Sequence, residues 1–190
     1  MKRFCAAVVL LCIMLTSASC ESVPSEDVLK ILRPFVTFFA KTFLPKPDGK
    51  ILEERLLEIL EALENHDADA LKGMLSEQAL LDAKDLDNSI VEFMDYYQGT
   101  HISYNDKATT SSARSAFGNT KERVLSAAYT ITTEVDEYRI LFDDYVVYKK
   151  NPKKEGTYNV HIIRLSDYNK HNFKFENGAG FFVIKSDSQF

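Results

Sequence analysis

Residues 67–104, DADALKGMLSEQALLDAKDLDNSIVEFMDYYQGTHISY, contain the point at which a helical sequence pattern changes to a strand pattern. Asp67 or Asp69 predicts the cap of one short helix and Ser76 that of a second, because their side-chain oxygens can accept a free backbone N–H. Asp85 or Asp87 predicts the start of a third helix. Its buried face recurs at steps of three and four residues and comprises Ile90, Phe93, Met94 and Tyr97.

Gly99 ends this helical pattern, since glycine readily adopts the left-handed conformation found where helices stop. Downstream, alternating apolar and polar residues predict strands at 100–116, 121–134, 138–149 and 157–165, and a short edge strand at 181–184. Upstream, residues 51–64 carry a leucine-rich stripe that predicts an amphipathic helix. Helices followed by a meander of about four antiparallel strands indicate the α+β class, with the helices on one face of the sheet.

The N-terminal residues have the pattern of an export signal. Lys2 and Arg3 precede an apolar run at 4–15, and small residues at 16–19 lead to Cys20. This order predicts a signal peptide over residues 1–19. Cys20 at the cleavage point resembles a bacterial lipobox, although Ser17 stands where an aliphatic residue is usual. We expect a diacylglycerol on Cys20 that anchors the chain to the outer face of the cell membrane, with ordinary secretion as the alternative.

Residues 20–50 are predicted to form a tether and an aromatic helical segment, ahead of a domain at 51–185 and a tail at 186–190. Within the segment, residues 25–44 are rich in aliphatic and aromatic side chains, and Pro34 must kink or split the helix. Two interpretations of residues 25–44 are possible: the segment packs on the domain, or it lies on the lipid near the anchor.

The charge balance argues against a nucleic-acid partner. The chain carries a formal charge of −5, and removal of Lys2 and Arg3 with the leader brings it to −7. An acidic chain without a basic stripe is a poor ligand for phosphate backbones. The one basic cluster, KKNPKK at 149–154, is predicted to be a solvated hairpin loop, with contact to an anionic surface as the alternative.

The chain resembles a family of domains of unknown function found in lipoproteins of gut Clostridia and relatives. The resemblance covers about residues 51–184 and rests on a spaced set of positions: Ser76-Glu77-Gln78-Ala79-Leu80, Asp85-Leu86-Asp87, Ile90, Phe93, Tyr97-Gln98-Gly99, Ile102-Ser103-Tyr104, Tyr129-Thr130 and Gly156-x-Tyr158. That family looks similar to the nuclear transport factor 2-like, or cystatin-like, cone. The resemblance implies N-terminal helices packed on a strongly curved antiparallel sheet, and it implies no activity.

The sequence contains few residue patterns that indicate a catalytic or metal site. The sequence has no HExxH motif, histidine pair at helical spacing, glycine-rich phosphate loop or GxSxG, so we expect no metal and no cofactor. His101 and His161 fall on strands, where they could face a cavity and form an acid/base pair with Asp143 or Asp144. The simpler interpretation places both histidines on the solvent face. Asp143-Asp144 indicates either a bulge or, as the favoured interpretation, an exposed edge or hairpin end. Tyr104 is a further candidate for ligand contact, although packing at the helix–sheet seam explains it as well.

Two function classes follow. The first is a surface-tethered module that binds a small molecule, peptide or protein, and the lack of a catalytic signature favours it. The second is a small cone-fold enzyme, isomerase- or dehydratase-like, with an Asp/His/Tyr pocket. A homodimer that buries the open sheet face is a third arrangement that the fold suggests.

Overall fold

The computed structural model describes residues 46–116, 119–168 and 178–185. The predicted signal peptide, Cys20, the aromatic segment at 25–44, His171 and the tail at 186–190 lie outside these ranges. Four helices come first: α1 at Asp48–Glu64, α2 at Ala68–Met74, α3 at Glu77–Asp82 and α4 at Leu86–Tyr96. The strands follow, with β1 at His101–Ala116, β2 at Asn119–Thr133 and β3 at Glu137–Tyr148. A 3₁₀ turn at Pro152–Lys154 leads to β4 at Gly156–Arg164, a short α5 at Leu165–Tyr168 and β5 at Gly180–Val183.

The predicted helix caps are largely confirmed. The Asp67 side chain accepts the N–H of Ala70 at 2.8 Å, and the Ser76 hydroxyl accepts that of Ala79 at 3.1 Å. Asp85 precedes α4 but adopts a left-handed backbone with φ of 52° and makes no side-chain cap. Its carboxylate instead accepts the side-chain amide of Asn88.

The helices bury the faces that the periodicity predicts. The buried stripe of α1 consists of Leu52, Leu56, Ile59, Leu60, Ala62 and Leu63. The face of α4 predicted to be core is buried throughout. Gly99 has a φ of +82°, and a side chain there would meet Thr133 and Val135 within 3.3 Å. The helix-to-sheet junction therefore needs glycine at this position.

Among the described residues the sheet has five strands in the order β1-β2-β3-β4-β5, which are the four expected in the meander and the expected short edge strand. The first four form the predicted antiparallel meander, but β5 pairs with β4 in parallel. Parallel neighbours require a crossover connection rather than a tight turn, and the chain between Arg164 and Gly180 is long enough to provide one. The expectation of a wholly antiparallel sheet is therefore wrong at this edge.

The strands match the predicted ranges to within two residues, but their pairing is irregular. β1 runs without a break through the polar residues 105–107. Its pairing with β2 shifts register between Asp106 and Ala108, so a bulge accommodates the irregular segment without ending the ladder. Further register shifts occur in the β2–β3 and β3–β4 pairs. Bulges of this kind bend strands and increase their twist.

Candidate functional site

His101 joins the start of β1 to the end of α1. Its ring Nδ1 lies 2.6 Å from Oε1 of Glu64, and its backbone N–H donates to the same oxygen at 2.8 Å. Nearby, the Tyr104 hydroxyl donates to Glu53 of α1 at 2.8 Å, and its ring lies edge-on to Tyr129. Both residues therefore hold the helix–sheet seam together, which is the packing role foreseen for Tyr104.

His161 and Asp143 lie on the opposite face of the sheet. The register pairs Leu141 with His161 and Asp143 with Asn159, so the His161 and Asp143 side chains share a face on neighbouring strands. His161 is only 6% exposed, and its ring stacks on Phe182 with centroids 4.9 Å apart. The expectation that it faces solvent is wrong, because β5 lies beside it and supplies an aromatic neighbour.

Asp143 is engaged by hydroxyl and amide donors. Ser126 donates to one carboxylate oxygen and Asn159 to the other. The structure thus brings His161 and Asp143 to one face and His101 and Tyr104 to the other. The four predicted residues do not form a single site.

Asp144 is the acidic residue that the structure buries on the helix-covered face. It is 5% exposed, and the β3–β4 register shifts between Asp143 and Asp144, so the bulge interpretation is confirmed and the exposed edge is wrong. Thr157 donates to its Oδ1 at 3.5 Å, and Nη2 of Arg55 lies 4.0 Å away. Arg55 makes its closer contact with Glu58, at 2.6 Å.

Burial raises the pKa of the Asp144 carboxyl above its usual value, and the nearby Glu58 carboxylate adds to the rise. The Arg55 guanidinium and the Thr157 hydroxyl act in the opposite direction. A buried carboxyl with a raised pKa is a common feature of functional sites, and structural ion-pair networks produce it as well. Sequence reasoning noticed the Asp143-Asp144 pair but could not say which member turns inward.

A cluster of three tyrosines surrounds one lysine at the far end of the β3–β4 hairpin, and we call it the tyrosine cage. Its members are Tyr145 and Tyr148 of β3, Tyr158 of β4 and Lys154 of the 3₁₀ turn. Nζ of Lys154 lies 4.2 Å from the ring centroid of Tyr158, 4.4 Å from that of Tyr145 and 5.5 Å from that of Tyr148. All four residues are half-buried. The predicted solvated loop is therefore wrong for Lys154, while Lys149, Lys150 and Lys153 are exposed as expected.

Two carboxylates fix the walls of the cage. The Tyr158 hydroxyl donates to Asp82 of α3 at 2.9 Å, and Glu155 accepts the backbone N–H of Tyr148 at 2.9 Å. Burial, followed by the hydrogen bond to Asp82, raises the pKa of Tyr158 to about 12. The tyrosine therefore stays protonated and neutral at physiological pH. The spacing of the three tyrosines around a lysine-bearing turn was visible in the sequence, but their convergence was not.

A shallow groove of about 390 Å³ lies at the opposite end of the hairpins, between the β2–β3 turn and the start of α5. Its rim includes Glu134, Asp136 and Glu137, and Asp136 pairs with Arg164 at 3.2 Å. Within the described ranges no group of three or more His, Cys, Asp and Glu side chains is placed to hold a metal ion. None of the helices in this part of the chain is long and apolar enough to cross a membrane.

No curated protein matches the chain. A family model does match, and its residues fall inside the region that carries the resemblance noted from the sequence. Because the model of the domain of unknown function DUF5104 matches residues 58–165, which is more than half of the chain, the protein belongs to the DUF5104 family.

Proposed function

We propose that the protein is an exported, lipid-anchored bacterial surface protein that acts as a ligand- or partner-binding module on a nuclear transport factor 2-like cone. The leader at 1–19 and Cys20 support export and anchoring. The resemblance to lipoproteins of Clostridia points the same way. Four helices followed by a bulged antiparallel meander are compatible with the cone, since bulges are the devices that curve a sheet.

The tyrosine cage is the observation that carries the binding function. Three aromatic rings facing one ammonium group are a recognition geometry for cations. In contrast, His101, Asp143 and His161 each have structural neighbours and lie on two faces of the sheet. Binding therefore accounts for more of the described surface than acid/base catalysis does.

Fractionation of cells expressing the full-length chain tests the anchoring. We expect the native protein in the membrane fraction and Cys20→Ser in the medium or the soluble fraction, because the thioether-linked lipid is lost. Cys12→Ser is the matched control, since Cys12 lies inside the leader, and it should stay membrane-bound. Membrane retention of Cys20→Ser would contradict lipid anchoring and point instead to residues 25–44.

A thermal-shift screen of the full-length chain in non-ionic detergent tests the binding role. Cationic, anionic and neutral small molecules are compared, because any ligand that prefers the folded state raises the melting temperature, and the rise grows with the ratio of ligand concentration to Kd. Stabilisation by one chemical class supports a binding module. A chain that no class stabilises would contradict it.

A cone-fold enzyme with an Asp/His/Tyr site is the second candidate, and buried Asp144 favours it because its pKa is raised. If turnover of any substrate is found, alanine at His101, His161 or Asp143 and asparagine at Asp144 locate the site. Loss of turnover with unchanged folding would support the enzyme. Unchanged turnover in every variant would remove these residues from its mechanism.

A homodimer is the remaining element of the proposal. Sedimentation of the full-length Cys20→Ser chain measures it directly, and a monomer at all concentrations would reject it.

A further inference from the structure

We propose that the tyrosine cage is a binding site for a quaternary ammonium group, such as the trimethylammonium of choline, and that Lys154 occupies it when the ligand is absent. This inference rests on the proposed binding function and names its site and ligand class.

The rings form a corner rather than a stack. Tyr145 stands nearly perpendicular to Tyr148, with centroids 5.5 Å apart and an angle of 84°. It stands at 67° to Tyr158, with centroids 5.7 Å apart. Tyr145 therefore contacts both of its neighbours edge to face. A cation that lies in the corner is close to all three aromatic rings. Attraction between a cation and an aromatic ring acts within about 6 Å of the centroid, and all three distances to Lys154 meet this limit.

Lys154 is held by the rings and by no carboxylate within the described part of the chain. The neighbouring Lys153, by comparison, has Glu77 at 3.6 Å. Lys154 ends a 3₁₀ turn of three residues and reaches the cage on a flexible four-carbon stem. Its ammonium can therefore swing into solvent without breaking an ion pair.

The chemistry of the two cations favours replacement of the Lys154 ammonium by a quaternary ammonium group. A primary ammonium has three N–H donors and is strongly hydrated, and tyrosine faces replace those hydrogen bonds poorly. A trimethylammonium has no N–H to leave unsatisfied, and its methyl groups gain from burial against rings. A quaternary ammonium therefore loses less hydration free energy than the Lys154 ammonium does on entering the same cage.

The surroundings complement a positive ligand. Asp82 contacts the Tyr158 hydroxyl, and Glu155 contacts the backbone of Tyr148. Both carboxylates are on exposed residues at the margin of the cage. Negative groups at the rim raise the local concentration of a cation without forming the ion pair that a primary ammonium would prefer.

Titration of the full-length chain with choline chloride, in non-ionic detergent, tests the site. Binding is followed by near-UV circular dichroism, because the chain has no Trp and its nine Tyr dominate that signal. Lys154→Ala removes the internal competitor, so we expect it to bind choline about tenfold more tightly than the native chain. The matched control, Lys153→Ala, changes a neighbouring exposed lysine and should leave the affinity within about twofold of native.

Ring variants show whether the cage itself binds. In the Lys154→Ala background, Tyr145→Leu should weaken choline binding about tenfold, whereas Tyr145→Phe keeps the π-face and should preserve it. The neutral tert-butyl analogue of choline has the same shape and should not bind measurably. Monomeric short-chain phosphatidylcholine serves as a second probe, and tighter binding than that of choline would identify a lipid headgroup as the source.

Three results would overturn the proposal: equal choline affinity of Lys154→Ala and native chain, equal binding of the neutral analogue, or no effect of Tyr145→Leu. Lys154→Met keeps the aliphatic stem and replaces the alanine variant if the latter unfolds. The titration uses purified protein, so failure of export or anchoring would not affect it. Absence of choline binding in every variant would also overturn this inference, but it would leave a binding role for another chemical class to the thermal-shift screen.

Discussion

Replacement of Phe93 tests the contact between α4 and the unexpected parallel strand β5. Phe93 is fully buried, and its ring meets that of Phe181 edge to face, with centroids 5.0 Å apart at 62°. Phe93→Ala removes the ring and leaves a cavity that the surrounding helix and sheet can only partly fill. Substitutions of this kind cost about 3–5 kcal/mol of unfolding free energy.

Urea unfolding followed by far-UV circular dichroism measures this loss, and thermal melting provides a second measurement. At about 2–4 °C per kcal/mol for a domain of this size, the melting temperature should fall by about 6–20 °C. Val91→Ala on the same helix is the matched control. Val91 is 49% exposed, and alanine has the higher helix propensity, so the change should stay within about 0.5 kcal/mol.

A double-mutant cycle isolates the ring pair. Phe93→Leu and Phe181→Leu, alone and together, should show a coupling of about 0.5–1.5 kcal/mol, which is the usual value for an edge-to-face aromatic contact. A Phe93→Ala variant that loses less than about 1 kcal/mol would refute the burial of this face. Strict additivity in the cycle would refute the docking of β5 against α4.

Two other perturbations test the buried polar groups. Glu64→Ala should lower the unfolding free energy by about 1–3 kcal/mol, because both the ring and the backbone N–H of His101 lose their acceptor; exposed Glu61→Ala is the urea-unfolding control, and equal losses would contradict the reasoning. Burial raises the pKa of Asp144 above its usual 3.8, so its contribution to stability is full below that pH and is lost as pH rises through the raised pKa. The stability of Asp144→Asn should therefore depend less on pH than that of the native chain as pH rises above 3.8, and parallel profiles would rule the effect out.

The order and type of most elements follow from local sequence. Periodicity of the apolar residues placed α1 and α4 correctly, since a helix buries residues three and four apart whatever packs against it. Asp67, Ser76 and Gly99 act on backbone groups within a few residues, so their roles were also readable. The alternating pattern likewise located β2, β3 and β4.

The direction of β5 and the placement of the polar side chains could not be read in this way. A short apolar run such as 181–184 pairs equally well in either direction, and the crossover before it decides which. Neighbouring strand residues point to opposite faces, so one of Asp143 and Asp144 must turn inward, and a one-residue shift in register exchanges the two. Such a shift in strand register cannot be predicted from the local sequence.

By itself, the sequence determined the helix-to-sheet organisation, the caps and the core faces, because these depend on neighbours along the chain. Tertiary structure alone decided that His101 and His161 lie on opposite faces of the sheet and that Asp144 is buried. It also decided that three tyrosines from two strands converge on Lys154. These features depend on strand register and on contacts between residues far apart in sequence, which only the assembled sheet and its helices define.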